Sequence, residues 1–260
     1  MSDPVVVGHH DGVARLTLNR PSVFNAFDHA TVQCFADHLI TLAADQNVRG
    51  VVISGEGRGF CAGGDIKWAS EFPLGSGAAF HRLAAGFHQA VLEIRRMPKP
   101  VIAAINGIAA GGGFSLALAC DFRVMARSAV LRQAYTSNGL CIDGGGTFTL
   151  PRIVGLARAL EIAGFDAAIS SEKALLWGLV TRVADDDHCL EVAIDMAHEL
   201  GEGSVHSFGW CKQLLTDSFN TAFEAHIERE RVALSSCASH ADGVEGIQAF
   251  VSRRRPVYRK

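Results

Sequence analysis

The sequence predicts an α/β fold on a largely parallel sheet. Three runs of strand length, Gly50–Ser54, Val101–Ile105 and Phe122–Ala126, are almost wholly apolar, as strands buried on both faces must be. Segments of helical spacing separate them, and glycine clusters or prolines punctuate their ends. Strands that alternate with helices in this way belong to crossover units in which the strands run parallel.

The elements follow in order. Val5–Val7 and Val13–Leu18 read as two short strands around the turn His9-His10-Asp11-Gly12. Asp28–Ala44 has helical periodicity, with Asp28 as its N-cap. Gly50–Ser54 is broken by Gly55-Glu56-Gly57-Arg58-Gly59. A helix is expected from about Ala78 to Arg96, because Pro98 and Pro100 forbid its continuation. After Val101–Ile105, the glycines 111–113 open a short small-residue helix to Cys120, followed by Phe122–Ala126. Beyond Leu150 the pattern becomes helical: Gly155–Gly164, Ser171–Gly178, Asp186–Leu200, Val205–Cys237 and Ala241–Ser252, with one strand at Leu179–Val183. The division expected is a core over residues 1–200 and a helical extension over 201–260 that lacks a core of its own.

Composition removes whole classes of function. Of the 260 residues, 48% are hydrophobic and 20% charged, enough apolar material for one large core. Lys+Arg 24 against Asp+Glu 27 leaves a net charge of −3, which supplies no global field for nucleic acid or anionic lipid. No stretch reaches the roughly 18 apolar residues of a membrane span. The first residues lack the basic and apolar regions of a secretory signal. The seven cysteines are scattered without a C-x-x-C pair, against both zinc and a disulfide framework. A cytoplasmic protein with no metal site is the expectation.

Two strand-to-helix junctions carry chemistry: Gly59-Phe60-Cys61-Ala62-Gly63-Gly64-Asp65-Ile66 and Asn106-Gly107-Ile108-Ala109-Ala110-Gly111-Gly112-Gly113. Such junctions leave backbone N–H groups unpaired at the positive end of a helix dipole, and glycine lets a ligand oxygen approach them. Two of them on one sheet can converge into an oxyanion hole; alone, each reads first as a tight turn with close helix packing. Neither is a nucleotide motif, since Phe60 occupies the last glycine position of G-x-G-x-x-G and no Gly-Lys-Ser/Thr occurs.

These junctions, together with Asn19-Arg20-Pro21, Asn25-Ala26-Phe27, PKPVIAAINGIAAGGG and GGGTFTLPRIVG, resemble in order and spacing the crotonase (enoyl-CoA hydratase/isomerase) superfamily, from about residue 5 to the C-terminus. The resemblance implies a spiral of ββα units, a C-terminal helical region that trimerises, a homotrimer or dimer of trimers, and acyl-CoA thioester substrates. CoA then enters as part of the substrate and no separate cofactor is implied. It places oxyanion donors at Gly64 and Gly112. It places the CoA nucleotide and pantetheine near Phe24, Asn25, Ala26, Ala62, Asp65 and Ile66. Phe60, Phe87, Tyr135 and Leu140 are expected to wall the acyl pocket. Tyr258, Arg259 and Lys260 fall where relatives place groups near the CoA phosphates, although a solvated basic tail explains them as well.

Hydratases of this family carry two glutamates, and the corresponding positions here read Ser115 and Tyr135. Neither is a carboxylate, so water addition loses its acid–base pair. One acid remains in the neighbourhood, Asp143, as in the lone-acid isomerases of the superfamily. A single carboxylate in an apolar pocket suffices to take a proton alpha to the thioester and return it at the gamma carbon. The plainer reading of Asp143 is a cap for the helix near Gly146. Isomerisation of a double bond or ring through an enolate is therefore expected. Alternatives are hydration, non-catalytic acyl-CoA binding, and the aryl-CoA chemistry of 4-chlorobenzoyl-CoA dehalogenases. The last resemblance adds His88 and Tyr135 to Asp143, whereas His88 by itself reads as a partly exposed helix residue. Ser115 in Gly113-Phe114-Ser115-Leu116-Ala117 lacks the second glycine of a hydrolase elbow.

Overall fold

A computed structural model describes residues 3–258. The first hairpin pairs strand β1 (Val5–His10) with β2 (Val13–Leu18), antiparallel. Helix α1 (His29–Ala44) follows, capped by Asp28, whose Oδ1 accepts from Thr31 N–H at 2.8 Å. Next come β3 (Gly50–Gly55), β4 (Gly59–Cys61), the short α2 (Ile66–Ser70) and the long α3 (Gly75–Arg96). Then follow β5 (Val101–Ile105), β6 (Ile108–Ala110), α4 (Gly112–Ala119), β7 (Phe122–Ala126) and β8 (Val130–Arg132). The remainder is α5 (Gly146–Val154), α6 (Leu156–Phe165), β9 (Ile169–Ser170), α7 (Ser171–Leu176), β10 (Arg182–Ala184), α8 (Cys189–Glu202), α9 (Val205–Asp217), α10 (Phe223–Ser239) and α11 (Ala241–Val251).

Two sheets organise these elements. One runs β1-β2-β3-β5-β7-β10 and is parallel from β2 onward; the second runs β4-β6-β8-β9. Three strands of the first sheet are each followed, after a sharp turn, by a short strand of the second: β3 by β4, β5 by β6, β7 by β8. The repeated unit is a winding of ββα, as the resemblance implied. The alternation of buried runs shows only the first sheet. Strands of three residues such as β4, β6 and β8 are too short to leave a periodic signal.

The central strands are buried because both faces are covered. All of β5 and the first five residues of β3 are inaccessible, with α8 packed on β3, β5 and β7. Helix α3 lies along α1, and Pro98 and Pro100 end it as expected. Lys99 between them is buried, its Nζ donating to Leu42 O at 2.7 Å and also to Asp45 O, so the cation closes the carbonyl end of α1.

Two expectations need correction. The helix expected over Val205–Cys237 is two, α9 and α10, broken at Ser218–Asn220. There Thr221 Oγ1 donates to Asp217 O at 3.0 Å, and Arg229 of α10 reaches back to Asp217 at 2.6 Å. Side chains that bond their own backbone offer the chain an alternative to the helix, and the ion pair fastens the reversal. The strand expected at Leu179–Val183 is β10, which starts at Arg182. Leu179 and Val180 are buried, but their N–H groups are spent on Ala174 O in a turn. Among the described residues, no helix is long and apolar enough to cross a membrane.

Candidate active site

The site begins where β4 and β6 end. These strands are parallel neighbours, so the chain leaves both at the same edge, through Ala62-Gly63-Gly64 and through Gly111-Gly112. The junctions touch. Gly63 has φ +90°, and a Cβ there would lie 2.7 Å from Gly112 N and 2.9 Å from Ala110 O, so only glycine permits the approach. Gly64 N is 3.8 Å from where a Cβ on Gly112 would stand. Among the described residues, neither the Gly64 nor the Gly112 N–H has a backbone acceptor, and Gly112 opens α4. Two unspent donors therefore sit together in the lining of a cavity.

That cavity has a volume of about 220 Å³ and is apolar over most of its wall. Gly64 and Gly112 line it, and Phe27 adds a ring packed 5.4 Å from that of Phe87. Helix α3 contributes Phe80, Leu83, Ala84 and Phe87, spaced so that all four share one face. Tyr135, Leu140, Cys141 and Asp143 complete the lining. Asp143 is the sole carboxylate in the lining.

Asp143 is held by Tyr135 and flanked by His88. Tyr135 donates its hydroxyl to Oδ1 at 2.5 Å, and Ser115 Oγ lies 3.3 Å from the same phenol oxygen. Burial, and then the charge of Asp143, push the Tyr135 phenol well above the usual tyrosine range, so it acts as a donor. His88 Nε2 is 3.6 Å from Asp143 Oδ2 and accepts the Gly144 N–H at 3.2 Å. The Asp143 side chain keeps 35% of its surface exposed, so the pocket is less dry there than an apolar enclosure would be.

Most of the residues singled out in the sequence gather here: Gly64, Gly112, Asp143, Tyr135, Phe87 and Leu140 line the cavity, and His88 adjoins it. Phe60 does not. It is fully buried in the core and absent from the lining, because all of β4 lies inside the fold. The segments 24–27 and 62–65 run side by side, with Ala62 N–H donating to Phe24 O and Phe27 N–H to Gly63 O. Phe24 and Ile66 are exposed and Ala26 is buried, while the side chains of Asn25 and Asp65 are structural. Asn25 is fully buried and ties Arg20 N, Glu56 O and Gly59 O together. Asp65 caps α2 through Trp68 N and pairs with Arg20 at 3.2 Å. Tyr258 packs against Gly246 of α11, and Arg259 and Lys260 lie outside the described residues. The sequence reading missed Phe27, Phe80, Leu83, Ala84 and Cys141. The signal for the α3 residues was present, since they lie on the face that carries Phe87.

Comparison with known proteins shows the family. The profile of the Enoyl-CoA hydratase/isomerase family matches residues 8–260. The chain is 34% identical over 248 residues to the 1,2-epoxyphenylacetyl-CoA isomerase of Escherichia coli K12, covering 95% of each. It is 32% identical over 250 residues to a 4-chlorobenzoyl coenzyme A dehalogenase of an Arthrobacter species, covering 96% of this chain and 91% of that one. The crystal structure of an enoyl-CoA hydratase from Polaromonas sp. JS666 superposes with a TM-score of 0.93 at 34% identity, covering 98% and 99% of the two chains.

Proposed function

The chain belongs to the enoyl-CoA hydratase/isomerase family, and on that premise we propose that it isomerises a double bond or ring of an acyl-CoA thioester, with Asp143 as the proton carrier. One observation carries the reading: Asp143 is the single carboxylate lining the cavity that Gly64 and Gly112, with their free N–H groups, also line.

The thioester oxygen sits against those two N–H groups. Removal of the alpha proton by Asp143 places negative charge on that oxygen, and donors fixed where charge develops stabilise it, each by on the order of 3 kcal/mol. The protonated Asp143 then returns the proton at the gamma carbon. Hydration would require a second group to activate water, and the positions that carry glutamates in the hydratases are Ser115 and Tyr135. The shift moves protons only, so it calls for no cofactor beyond the CoA of the substrate. We place that CoA along residues 24–26 and 62–66, through Phe24, Ala26, Ala62, Ile66 and main-chain groups, since the side chains of Asn25 and Asp65 are already engaged. Exposed Phe223, Leu234, Phe250 and Val251 on α10 and α11 support self-association of the C-terminal helices.

The test follows conjugated thioester absorbance with wild-type and Asp143→Asn protein. A rise with a 3-enoyl-CoA, absent in the variant, supports isomerisation; a fall with a 2-enoyl-CoA signals hydration and overturns it.

A second reading has its own support: both His88 and Tyr135 converge on Asp143. In aryl-CoA chemistry the Asp143 oxygen would displace halide from the ring, and water would then cleave the aryl ester. Halide release from 4-chlorobenzoyl-CoA distinguishes this reading.

A further inference from the structure

The turn that carries Asp143 is clamped from the α3 side by a single side chain. Gly144 N–H donates to His88 Nε2 at 3.2 Å. Gly144 has φ +59°, and a Cβ there would fall 2.3 Å from Phe87 Cε1 and 3.1 Å from Ser115 Cβ. The main chain is thus pressed onto Phe87, which brings its N–H within reach of the adjoining residue on the helix. On the other side, Gly146 N–H donates to Asp143 O at 3.0 Å and closes the turn.

The acceptor role determines which proton His88 carries. A ring nitrogen that receives an N–H presents a lone pair, so the proton of the neutral imidazole resides on Nδ1. Asp143 Oδ2 is 3.6 Å from the same Nε2, outside hydrogen-bond reach. The carboxylate therefore has Oδ1 fixed by Tyr135 and Oδ2 unencumbered by His88.

We propose that His88 is a positioning residue: as the neutral Nδ1–H tautomer, its Nε2 pins Gly144 N–H and so holds the turn that presents the Asp143 carboxylate to the cavity. The inference rests on the reading of Asp143 as the proton carrier. A role for His88 as base toward water would need the same lone pair, which Gly144 already occupies. Protonation at Nε2 would set one N–H against another, release Gly144 and swing the charge toward Asp143 Oδ2. Asp143 is the charged group that faces His88 from the loop; one turn away on α3, Ala84, Ala85, Val91 and Leu92 carry no charge.

Two substitutions separate the roles. His88→Gln sets an amide oxygen near the place of Nε2, able to accept from Gly144 and unable to act as a base. His88→Ala leaves Gly144 N–H without its partner. With a 3-enoyl-CoA, His88→Ala is expected to lose about ten-fold in kcat with KM little changed, and His88→Gln to recover most of that loss. Equal loss in both variants, or full activity in both, overturns the proposal. Wild-type activity in Asp143→Asn would instead overturn the reading of Asp143. Independently of turnover, imidazole ¹⁵N shifts of the whole chain near neutral pH, assigned by the signal missing in His88→Gln, are expected to show the Nδ1–H tautomer. An Nε2–H tautomer or an imidazolium at that position overturns the proposal.

Discussion

Tyr135 gives its hydroxyl proton to Asp143 Oδ1 at 2.5 Å, while Ser115 Oγ stands 3.3 Å from the same phenol oxygen. The two residues at positions where hydratases carry glutamates therefore support a third residue, the acid. Removing the Tyr135 hydroxyl leaves Oδ1 without a donor and lets the carboxylate rotate. Tyr135→Phe is expected to lower kcat roughly ten-fold, with CoA-ester binding nearly unchanged. Steady-state kinetics with a 3-enoyl-CoA checks the split.

The same phenol makes an alkaline prediction. Its folded pKa is raised, chiefly by burial and then by the Asp143 charge. A raised value means that the stability from keeping the proton is fully present below about pH 10, where an unfolded tyrosine titrates, and is lost as pH rises beyond it. The chain has two tyrosines. The tyrosinate absorbance of Tyr135 should appear only as the protein unfolds, and Tyr135→Phe should abolish that step.

Asp143→Asn keeps the shape of the side chain and removes the base. Isomerisation should fall by roughly 10²–10⁴-fold, with the fold unchanged by circular dichroism. Retention of most activity would mean that another group moves the proton.

Gly63 and Gly112 should respond differently to alanine. A methyl on Gly63 meets Gly112 N at 2.7 Å and requires φ +90°, so the junctions must separate. On Gly112 the methyl meets Gly63 Cα at 3.4 Å and Phe87 Cε1 at 3.7 Å, which are ordinary contacts. Gly63→Ala is expected to lose both stability and activity, and Gly112→Ala to fold normally. Thermal unfolding beside activity distinguishes the two.

Lys212 of α9 donates to Asp121 Oδ2 at 2.7 Å, to Ile94 O at 2.7 Å and to Lys99 O at 3.2 Å, with both members of the pair enclosed. Burial pushes Asp121 up and Lys212 down, each against the pull of its partner. Lys212→Met should cost about 3–5 kcal/mol in urea unfolding, because it strands a buried carboxylate, and adding Asp121→Asn should restore part of the loss.

The path from sequence to site was open for residues whose role is set locally. Gly63, Gly64 and Gly112 are visible as glycines at strand ends, and Phe87 as one position of an apolar helix face that also carries Phe80, Leu83 and Ala84. Asn25 and Asp65 mark the opposite limit. Their types suit a polar ligand, but Asn25 is spent on Glu56 and Gly59 and Asp65 on Arg20, partners 31 to 45 residues away in the chain, with Asp65 also capping α2 locally at Trp68. Phe60 fails for the same reason, since its sequence neighbours do not reveal that β4 is covered on every side.

By itself the sequence determined the buried parallel strands, the helix ends at Asp28 and Pro98, the family, and the absence of carboxylates at Ser115 and Tyr135. Each of these follows from periodicity, capping or residue type, which act within a few positions. Only the tertiary structure decided that the two glycine junctions meet, that Tyr135 and His88 flank Asp143, and that Gly144 N–H donates to His88 Nε2. Those relations span tens of residues and are set by how two sheets and α3 close on one another, which no local pattern encodes.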